Sequence, residues 1–153
     1  QHYDKKHLFT FGGEHKRFTA GTERVVVNFR GVRILLEVCY DLRFPVWSRN
    51  LGDYDMILYV ASWPTPRVDA WSALLRARAI ENQCYVAGVN RMGTDPTCEY
   101  SGGSAIIDPY GKTIAECPWS RESAVSADID MEALQAFRKK FPVLDDADPF
   151  TLI

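Results

Sequence analysis

A cysteine stands where an apolar run of the sequence stops. Residues 34–38, "ILLEV", lead directly into Cys39, Tyr40 and Asp41, with Arg43 and a proline close behind. The end of a buried strand, just before a turn, is where open α/β sheets collect ligand and reaction sites. Such a turn also exposes the backbone N–H of Tyr40 to a developing oxyanion. Cys39 is therefore a candidate nucleophile, and the alternative is an inert core thiol, because buried cysteines usually act as small hydrophobes.

A nucleophilic thiol needs a nearby cation and a base, because a free thiol is only slightly ionised at neutral pH. The start of the chain offers Lys5, Lys6 and His7, and the charged loop at residues 12–17 contains Glu14. The alternative is that these charges form a run solvated by water. Composition does not decide between the two interpretations.

Length, composition and charge limit the class of protein. The 153 residues are 46% hydrophobic and carry a formal net charge of −2, which suits one globular domain. The charges are mixed along the chain, so no basic stripe suggests nucleic acid and no polybasic face suggests a membrane. The four cysteines lack a C-x-x-C spacing, and we expect free thiols in a cytosolic protein.

Hydrophobic periodicity predicts an α/β chain. The predicted strands are residues 23–29, 32–38, 56–62, 84–90, 103–108, 112–117 and 124–129. The first two strands form a hairpin through Arg30 and Gly31. The predicted helices are residues 46–52, residues 67–83 and a segment from an Asp130 cap through Lys140. The apolar face of the middle helix would consist of Val68, Trp71, Leu74, Leu75 and Ile80, with Arg76, Arg78 and Glu81 on its other faces.

Several linked motifs carry a family resemblance. They are "YDKKHLF", "GEHKRFTAG", "VCYDLRFPVWSRN", "YVASWP", "RARAIENQCYVAGVNR" and "GGSAIIDPYG". In this order and spacing the chain resembles the carbon-nitrogen hydrolase (nitrilase) superfamily, and within it the ω-amidase branch. The resemblance implies an α-β-β-α sandwich and hydrolysis of the side-chain amide of small dicarboxylate monoamides, such as 2-oxoglutaramate and 2-oxosuccinamate. It also implies a cysteine thioester intermediate, no metal or organic cofactor, and a homodimer.

The same resemblance assigns roles residue by residue. It makes Cys39 the nucleophile, Lys5 the catalytic lysine and Glu14 a supporting glutamate that positions the lysine and the substrate amide. The residues placed at the substrate are Tyr40, Arg43, Ser62 and Trp63. Arg43 would anchor a substrate carboxylate, or alternatively pair with Asp41 or a helix. The motif residues Arg78, Glu81 and Asn82 would form a structural ion pair and hydrogen-bond set.

One element of the family pattern lies outside this chain. The family's general-base glutamate belongs to a segment before the lysine, so we expect residues 1–153 to supply roughly the C-terminal half of the sandwich. The missing N-terminal part would then pack against strands 32–38 and 56–62 and bring the base. Glu37 is a poor substitute, because side chains two residues apart on a strand lie about 7 Å from each other. We expect it to be hydrogen-bonded at the sheet.

Three classes of function stay open from the sequence. The first is this amidase or a related amidase or carbamoylase of the family. The second is a papain-like site, which predicts the imidazole of His7 or His15 within hydrogen-bond reach of Cys39. The third is a non-catalytic assembly protein on the same fold. The apolar tail residues Phe150, Leu152 and Ile153 would either fray or dock on another subunit.

Overall fold

The computed structural model describes residues 1–151, and its centre is a mixed six-stranded β-sheet. The strands are β1 (Val25–Phe29), β2 (Val32–Val38), β3 (Met56–Ala61), β4 (Tyr85–Asn90), β5 (Met92–Thr94), β6 (Glu99–Ser101), β7 (Ala105–Ile107) and β8 (Thr113–Glu116). The sheet order is β1-β2-β3-β4-β7-β8, while β5 and β6 form a separate two-stranded sheet. The helices are α1 (Pro45–Ser48), α2 (Val68–Glu81) and α3 (Met131–Lys140). The predicted α/β class is confirmed.

The three central strands run parallel and fix the position of the site. β2 pairs with β3 from Ile34↔Met56 to Val38↔Val60, and β3 pairs with β4 in the same direction. Their carboxyl ends therefore meet at one edge of the sheet, where ligand sites of α/β proteins collect. The predicted strand 32–38 is confirmed with both of its ends.

The β1–β2 hairpin is confirmed and has a simple local cause. Arg30 and Gly31 both have positive φ angles, of 51° and 85°, as a two-residue type I′ turn requires. The side chain of Asn28 accepts a hydrogen bond from the Gly31 N–H at 3.1 Å.

α2 covers one face of the sheet through its largest apolar side chains. Trp71 and Leu75 are fully buried, and both lie over Gly88 of β4. A Cβ atom at Gly88 would come within 2.6 Å of a Leu75 methyl carbon, so the close approach of helix and strand requires glycine there.

The prediction for the faces of α2 was wrong at two positions. Arg78 is buried with only 3% of its surface exposed, whereas Ile80 is 53% exposed. The buried guanidinium donates to the Leu42 carbonyl and pairs with Glu81 at 2.9 Å. These partners explain how a charged residue can occupy the inner face.

Other boundaries also differ from the prediction. Residues 124–129 form no strand, and the helix predicted at 46–52 is reduced to α1. β5 and β6 were missed because neither contains an apolar run such as the one in β7, which is equally short. The C-terminal helix is confirmed, with the Asp130 carboxylate accepting from the Ala133 N–H at 2.8 Å. No helix among residues 1–151 is long and apolar enough to cross a bilayer.

Candidate active site

Cys39 begins a tight turn at the carboxyl end of β2. It is the first residue of a 3-10 segment, Cys39–Arg43, and its φ angle of 50° lies in the left-handed region. A non-glycine residue holds this conformation only when the surrounding structure imposes it, and such strain clusters at functional sites. The Cys39 Sγ lies 3.9 Å from the carbonyl oxygen of Ser62, which follows the neighbouring parallel strand β3. The parallel register thus brings the two strand ends together.

Lys5 and Glu14 form an ion pair beside this turn. The Lys5 Nζ donates to both carboxylate oxygens of Glu14, at 2.9 and 2.7 Å, and the Lys5 side chain is 13% exposed. Glu14 Oε2 also accepts from the Phe9 N–H at 2.8 Å. Burial raises the pKa of Glu14, but the hydrogen bonds from Lys5 and Phe9 outweigh it and leave the pKa lowered. The lysine is therefore held in place by a carboxylate that stays ionised.

Burial and Lys5 act on the Cys39 thiol in opposite directions. Burial is the larger effect and raises the pKa of Cys39, while the positive charge of Lys5 lowers it. The resting thiol is thus mainly protonated. Any approach of the Lys5 cation during a reaction would favour the thiolate.

The carboxylate of Asp41 ties the lysine segment to the nucleophile turn. It accepts from the Val38 N–H at 3.1 Å, from the Tyr3 hydroxyl at 2.9 Å, and from the backbone N–H of His7 at 2.8 Å. His7 Nδ1 lies 2.8 Å from the same carboxylate. Asp41 is fully buried, so it links the residues on both sides of Lys5 to the strand end before Cys39.

The papain-like alternative does not fit this arrangement. Within residues 1–151, the hydrogen-bond partner of the Cys39 thiol is the Ser62 carbonyl. His7 instead faces Asp41 and stacks on Phe44, with ring centroids 3.9 Å apart. His15 is exposed to solvent. Neither imidazole is in hydrogen-bond reach of the thiol.

Two adjoining cavities meet at Cys39. The smaller has a volume of about 290 Å³ and is lined by Phe9, Phe11, Cys39, Tyr40, Arg43, Ser62, Trp63, Pro64 and Arg67. The larger, of about 1000 Å³, reaches Lys5, Glu14 and Cys98. All seven residues that the sequence placed at the site therefore lie around one cavity system: Lys5, Glu14, Cys39, Tyr40, Arg43, Ser62 and Trp63.

The individual pocket residues are positioned by the turn and by aromatic packing. Tyr40 is the second residue of the 3-10 segment, where backbone N–H groups have no acceptor within the helix. The Arg43 guanidinium lies over the Trp63 ring, 4.9 Å from its centroid. The alternative pairing of Arg43 with Asp41 is not formed among residues 1–151, where the partners of Asp41 are Tyr3, His7 and Val38.

Glu37 is buried in β2, two residues before Cys39, and it lines neither of the two cavities. The Ser48 hydroxyl donates to Glu37 Oε2 at 2.9 Å, and Tyr59 lies 3.0 Å from the same hydroxyl. Burial raises the pKa of Glu37 to about 7, although hydrogen bonds from Tyr59 and Ser48 lower it. The expectation of a hydrogen-bonded carboxyl at the sheet is confirmed.

The remaining polar motif residues have structural partners. Asn82 accepts from the Asn50 N–H at 2.9 Å, and Arg78 pairs with Glu81. All four cysteines are free thiols, as predicted, and Cys84 and Cys117 are buried. No group of three His, Cys, Asp or Glu side chains within residues 1–151 is arranged to hold a metal ion.

The sequence did not predict Arg67, Phe9 or Cys98 at the cavity. It suggested Asp41 only as a possible partner of Arg43. Arg67 follows Pro64 in the loop after β3. Its position at the same strand end as Ser62 was a signal that could have identified it. Cys98 carried no such signal, because it reaches the cavity through the β5–β6 hairpin.

Comparison with known proteins gives the family. The model of the family described as carbon-nitrogen hydrolase matches residues 1–139. The chain belongs to the carbon-nitrogen hydrolase family, as the motifs predicted.

Individual relatives and structures agree with this assignment. The protein named omega-amidase YafV of Escherichia coli K12 is 56% identical over 98% of this chain and 59% of its own length. The 2-oxoglutaramate amidase of Bacillus subtilis is 42% identical over 94% of this chain and 56% of its length. The crystal structure of XC1258 from Xanthomonas campestris, a CN-hydrolase superfamily protein with an arsenic adduct in the active site, is 48% identical with a TM-score of 0.96. It aligns with 100% of this chain and 61% of that chain. The chain thus spans about three fifths of the length of these proteins.

Proposed function

We propose that the protein hydrolyses the side-chain amide of a small dicarboxylate monoamide, of the 2-oxoglutaramate or 2-oxosuccinamate type, to the acid and ammonia. The observation that carries the proposal is the Cys39 thiol on a strained turn, sharing one cavity system with the Lys5–Glu14 ion pair. Relatives that carry the names omega-amidase and 2-oxoglutaramate amidase support it.

In the proposed first step the Cys39 sulfur attacks the amide carbonyl carbon. A C–S bond forms while the carbonyl π electrons move to oxygen. We propose that the Lys5 ammonium and the Tyr40 N–H stabilise that oxyanion, because fixed donors in a partly dry site need no reorganisation. Collapse of the tetrahedral intermediate expels ammonia, once the nitrogen has received a proton, and leaves a thioester.

In the second step water attacks the thioester carbonyl and releases the acid and the thiol. Both steps need a group that carries a proton between sulfur, nitrogen and water. Glu14 is engaged with Lys5 and Phe9, and Glu37 with Ser48. We propose that a glutamate from outside residues 1–151 is the base, as the family pattern predicts.

The test is ammonia release from 2-oxoglutaramate by the full-length protein, which would include the proposed general base, and by its Cys39→Ala variant. We expect the substitution to reduce kcat at least about a thousandfold, because loss of a nucleophile removes the whole covalent route. The melting temperature should stay near that of the parent. Activity retained by Cys39→Ala would contradict the mechanism. A panel of other amides and N-carbamoyl compounds separates this substrate class from related amidases and carbamoylases.

We also propose a cytosolic homodimer. The four free thiols support the cytosolic location.

For the dimer, the exposed side chains of Val46 in α1 and Leu51 just after it offer an apolar contact, with 54% and 63% of their surface accessible. Of the tail residues predicted to join it, Phe150 is 40% exposed, while Leu152 and Ile153 lie outside the described residues. Light scattering coupled to gel filtration tests the dimer, and Val46→Glu should shift it toward monomer.

A further inference from the structure

Two arginines at the rim of the Cys39 cavity rest on aromatic rings. The Arg43 guanidinium lies 4.9 Å from the centroid of Trp63, and the Arg67 guanidinium lies 5.5 Å from the centroid of Phe9. Both side chains line the smaller cavity together with Cys39. Within residues 1–151, neither guanidinium lies within 4.0 Å of an Asp or Glu carboxylate.

Four other arginines of the fold have carboxylate partners. Arg24, Arg33, Arg78 and Arg138 each pair with a carboxylate at 3.0 Å or less. A guanidinium that rests on an aromatic face does not use its N–H groups in that contact, so they stay available to donate hydrogen bonds. Two such groups at one cavity therefore form a local excess of positive charge that can bind a carboxylate bidentately.

The backbone holds the two arginines in a fixed relation. Arg67 ends the 3-10 segment Thr65–Arg67, its N–H donates to the Pro64 carbonyl at 3.0 Å, and its own carbonyl accepts from the Trp63 indole N–H at 2.7 Å. Since Arg43 rests on the same Trp63 ring, this indole joins both arginines. Trp63 is 97% buried, as its 3% exposed surface shows, and it cannot move without disturbing the core.

We infer that Arg67 is a specificity-determining residue which, with Arg43, binds the carboxylate end of the substrate while Cys39 receives the amide. The inference rests on the proposed function and adds a residue and a substrate feature to it. The cavity of about 290 Å³ is at the small end of ligand pockets, which suits an unbranched substrate of a few carbons. The apolar walls from Phe11 and Pro64 fit its methylene chain.

The test compares two amides of the same chain length, glutaramate and pentanamide, which differ in a terminal carboxylate against a methyl group. The parent should hydrolyse glutaramate with the higher kcat/KM. In Arg67→Ala, the KM for glutaramate should rise about tenfold to a hundredfold, because hydrogen bonds to a charged group are lost. The KM for pentanamide should change at least tenfold less. Arg67→Lys should give an intermediate KM for glutaramate, because an ammonium keeps the charge without the bidentate geometry.

The control is Arg121→Ala, which removes the same charge from an exposed loop outside the cavity. It should leave both KM values within about twofold, as expected of an exposed substitution far from the site. Equal changes for the two amides in Arg67→Ala, or an unchanged KM for glutaramate, would overturn the assignment of Arg67. A full-length parent that hydrolyses neither amide, nor 2-oxoglutaramate, would instead overturn the proposed function and this inference with it.

Discussion

The two ends of the parallel strands β2, β3 and β4 differ in how their arginines are matched. At the amino end, Asp55 is buried and accepts from Arg33 at 2.8 Å and from Arg138 at 2.9 Å. At the carboxyl end, Arg43 and Arg67 rest on aromatic rings with no carboxylate partner in residues 1–151. Matched charges stabilise a fold, whereas unmatched charges at a cavity are available to a ligand. We therefore expect substitutions at the amino end to change stability and substitutions at the carboxyl end to change rate or affinity.

The largest effect on rate, after removal of the thiol, is expected at Lys5. Lys5→Ala should lower kcat roughly a hundredfold or more, because the oxyanion and the thiolate both lose their cation. Lys6 lies over the Trp47 ring at 5.1 Å, and Lys6→Ala should lower kcat less than about threefold, because a single cation–π contact away from the cavity is weak. Steady-state ammonia release measures both. Equal effects of the two substitutions would show that the catalytic lysine has been assigned one position off.

The effect of the Lys5 charge on the Cys39 thiol should also be measurable without substrate. In Lys5→Ala the pKa of the Cys39 thiol should rise further, since the cation lowers it in the parent. The rate of iodoacetamide alkylation of Cys39 is followed by mass spectrometry of the Cys39 peptide. The pH at which this rate rises should therefore be higher in Lys5→Ala than in the parent. An unchanged alkylation profile would mean that Lys5 does not act on the thiol.

Asp41 should have the next largest effect, although it lies outside the cavity. Asp41→Asn weakens the hydrogen bonds that hold Tyr3 and His7 on either side of Lys5. We expect kcat to fall about ten- to a hundredfold with little change in KM, because a small displacement of a catalytic group is costly. The exposed Asp146→Asn is the matched control. A larger change in KM than in kcat would assign Asp41 to substrate binding and break this account of its role.

At the amino end, Asp55→Asn should reduce the free energy of unfolding by about 2 kcal/mol. Losing one partner of a buried ion pair costs roughly 3–5 kcal/mol, and we expect less here because the side chain of Arg33 is 38% exposed. The kcat of the folded variant at a temperature well below its midpoint should match the parent. Urea unfolding measures the stability. A fall in kcat without a fall in stability would contradict the claim that the amino end acts on stability and the carboxyl end on rate or affinity.

The smallest expected effect is a pH dependence of that stability. Burial raises the pKa of Asp55, but the hydrogen bonds and charge of Arg33, with the charge of Arg138, outweigh it and lower the pKa below its ordinary value of 3.8. A lowered pKa in the folded state gives stability that is complete above the unfolded value and disappears as pH falls through the folded value. The parent should thus lose stability below about pH 4, and Asp55→Asn should lose less over that range. Parallel curves for the two proteins would contradict this.

The sequence predicted the site better than it predicted the edges of the fold. Cys39 stood out because the apolar run before it marks a buried strand, whereas Lys5 and Glu14 came from the fixed spacing of the family motifs; the three residues share one cavity system, and their catalytic roles stay predictions. Residues 124–129 were wrongly predicted as a strand, because alternation of side chains does not show whether a neighbouring strand is available. Arg78 was placed on the wrong face, because its partner, the Leu42 carbonyl, is distant in sequence. Arg67 could have been expected near the site from its position after β3, but only the folded loop shows that it lies over Phe9.

Some predictions stay predictions. They concern the origin of the general base, and an N-terminal part of the domain packed against β2 and β3. On the face of the sheet away from Trp71, Val60 and Val89 are 46% and 50% exposed, which is consistent with a covering element. The test is to bind or co-express such an element with this chain. The expectation predicts that the side chains of Val60 and Val89 then become less exposed.

The most direct test of the central claim is to trap the covalent intermediate. The parent protein is mixed with 2-oxoglutaramate, quenched in acid during turnover, digested and examined by mass spectrometry. The account predicts that the peptide containing Cys39 carries the acyl group of the substrate, that the peptide containing Cys98 does not, and that Cys39→Ala shows no adduct. Turnover with an unmodified Cys39 peptide, or an adduct on Cys98 instead, would contradict the assignment of Cys39 as the nucleophile.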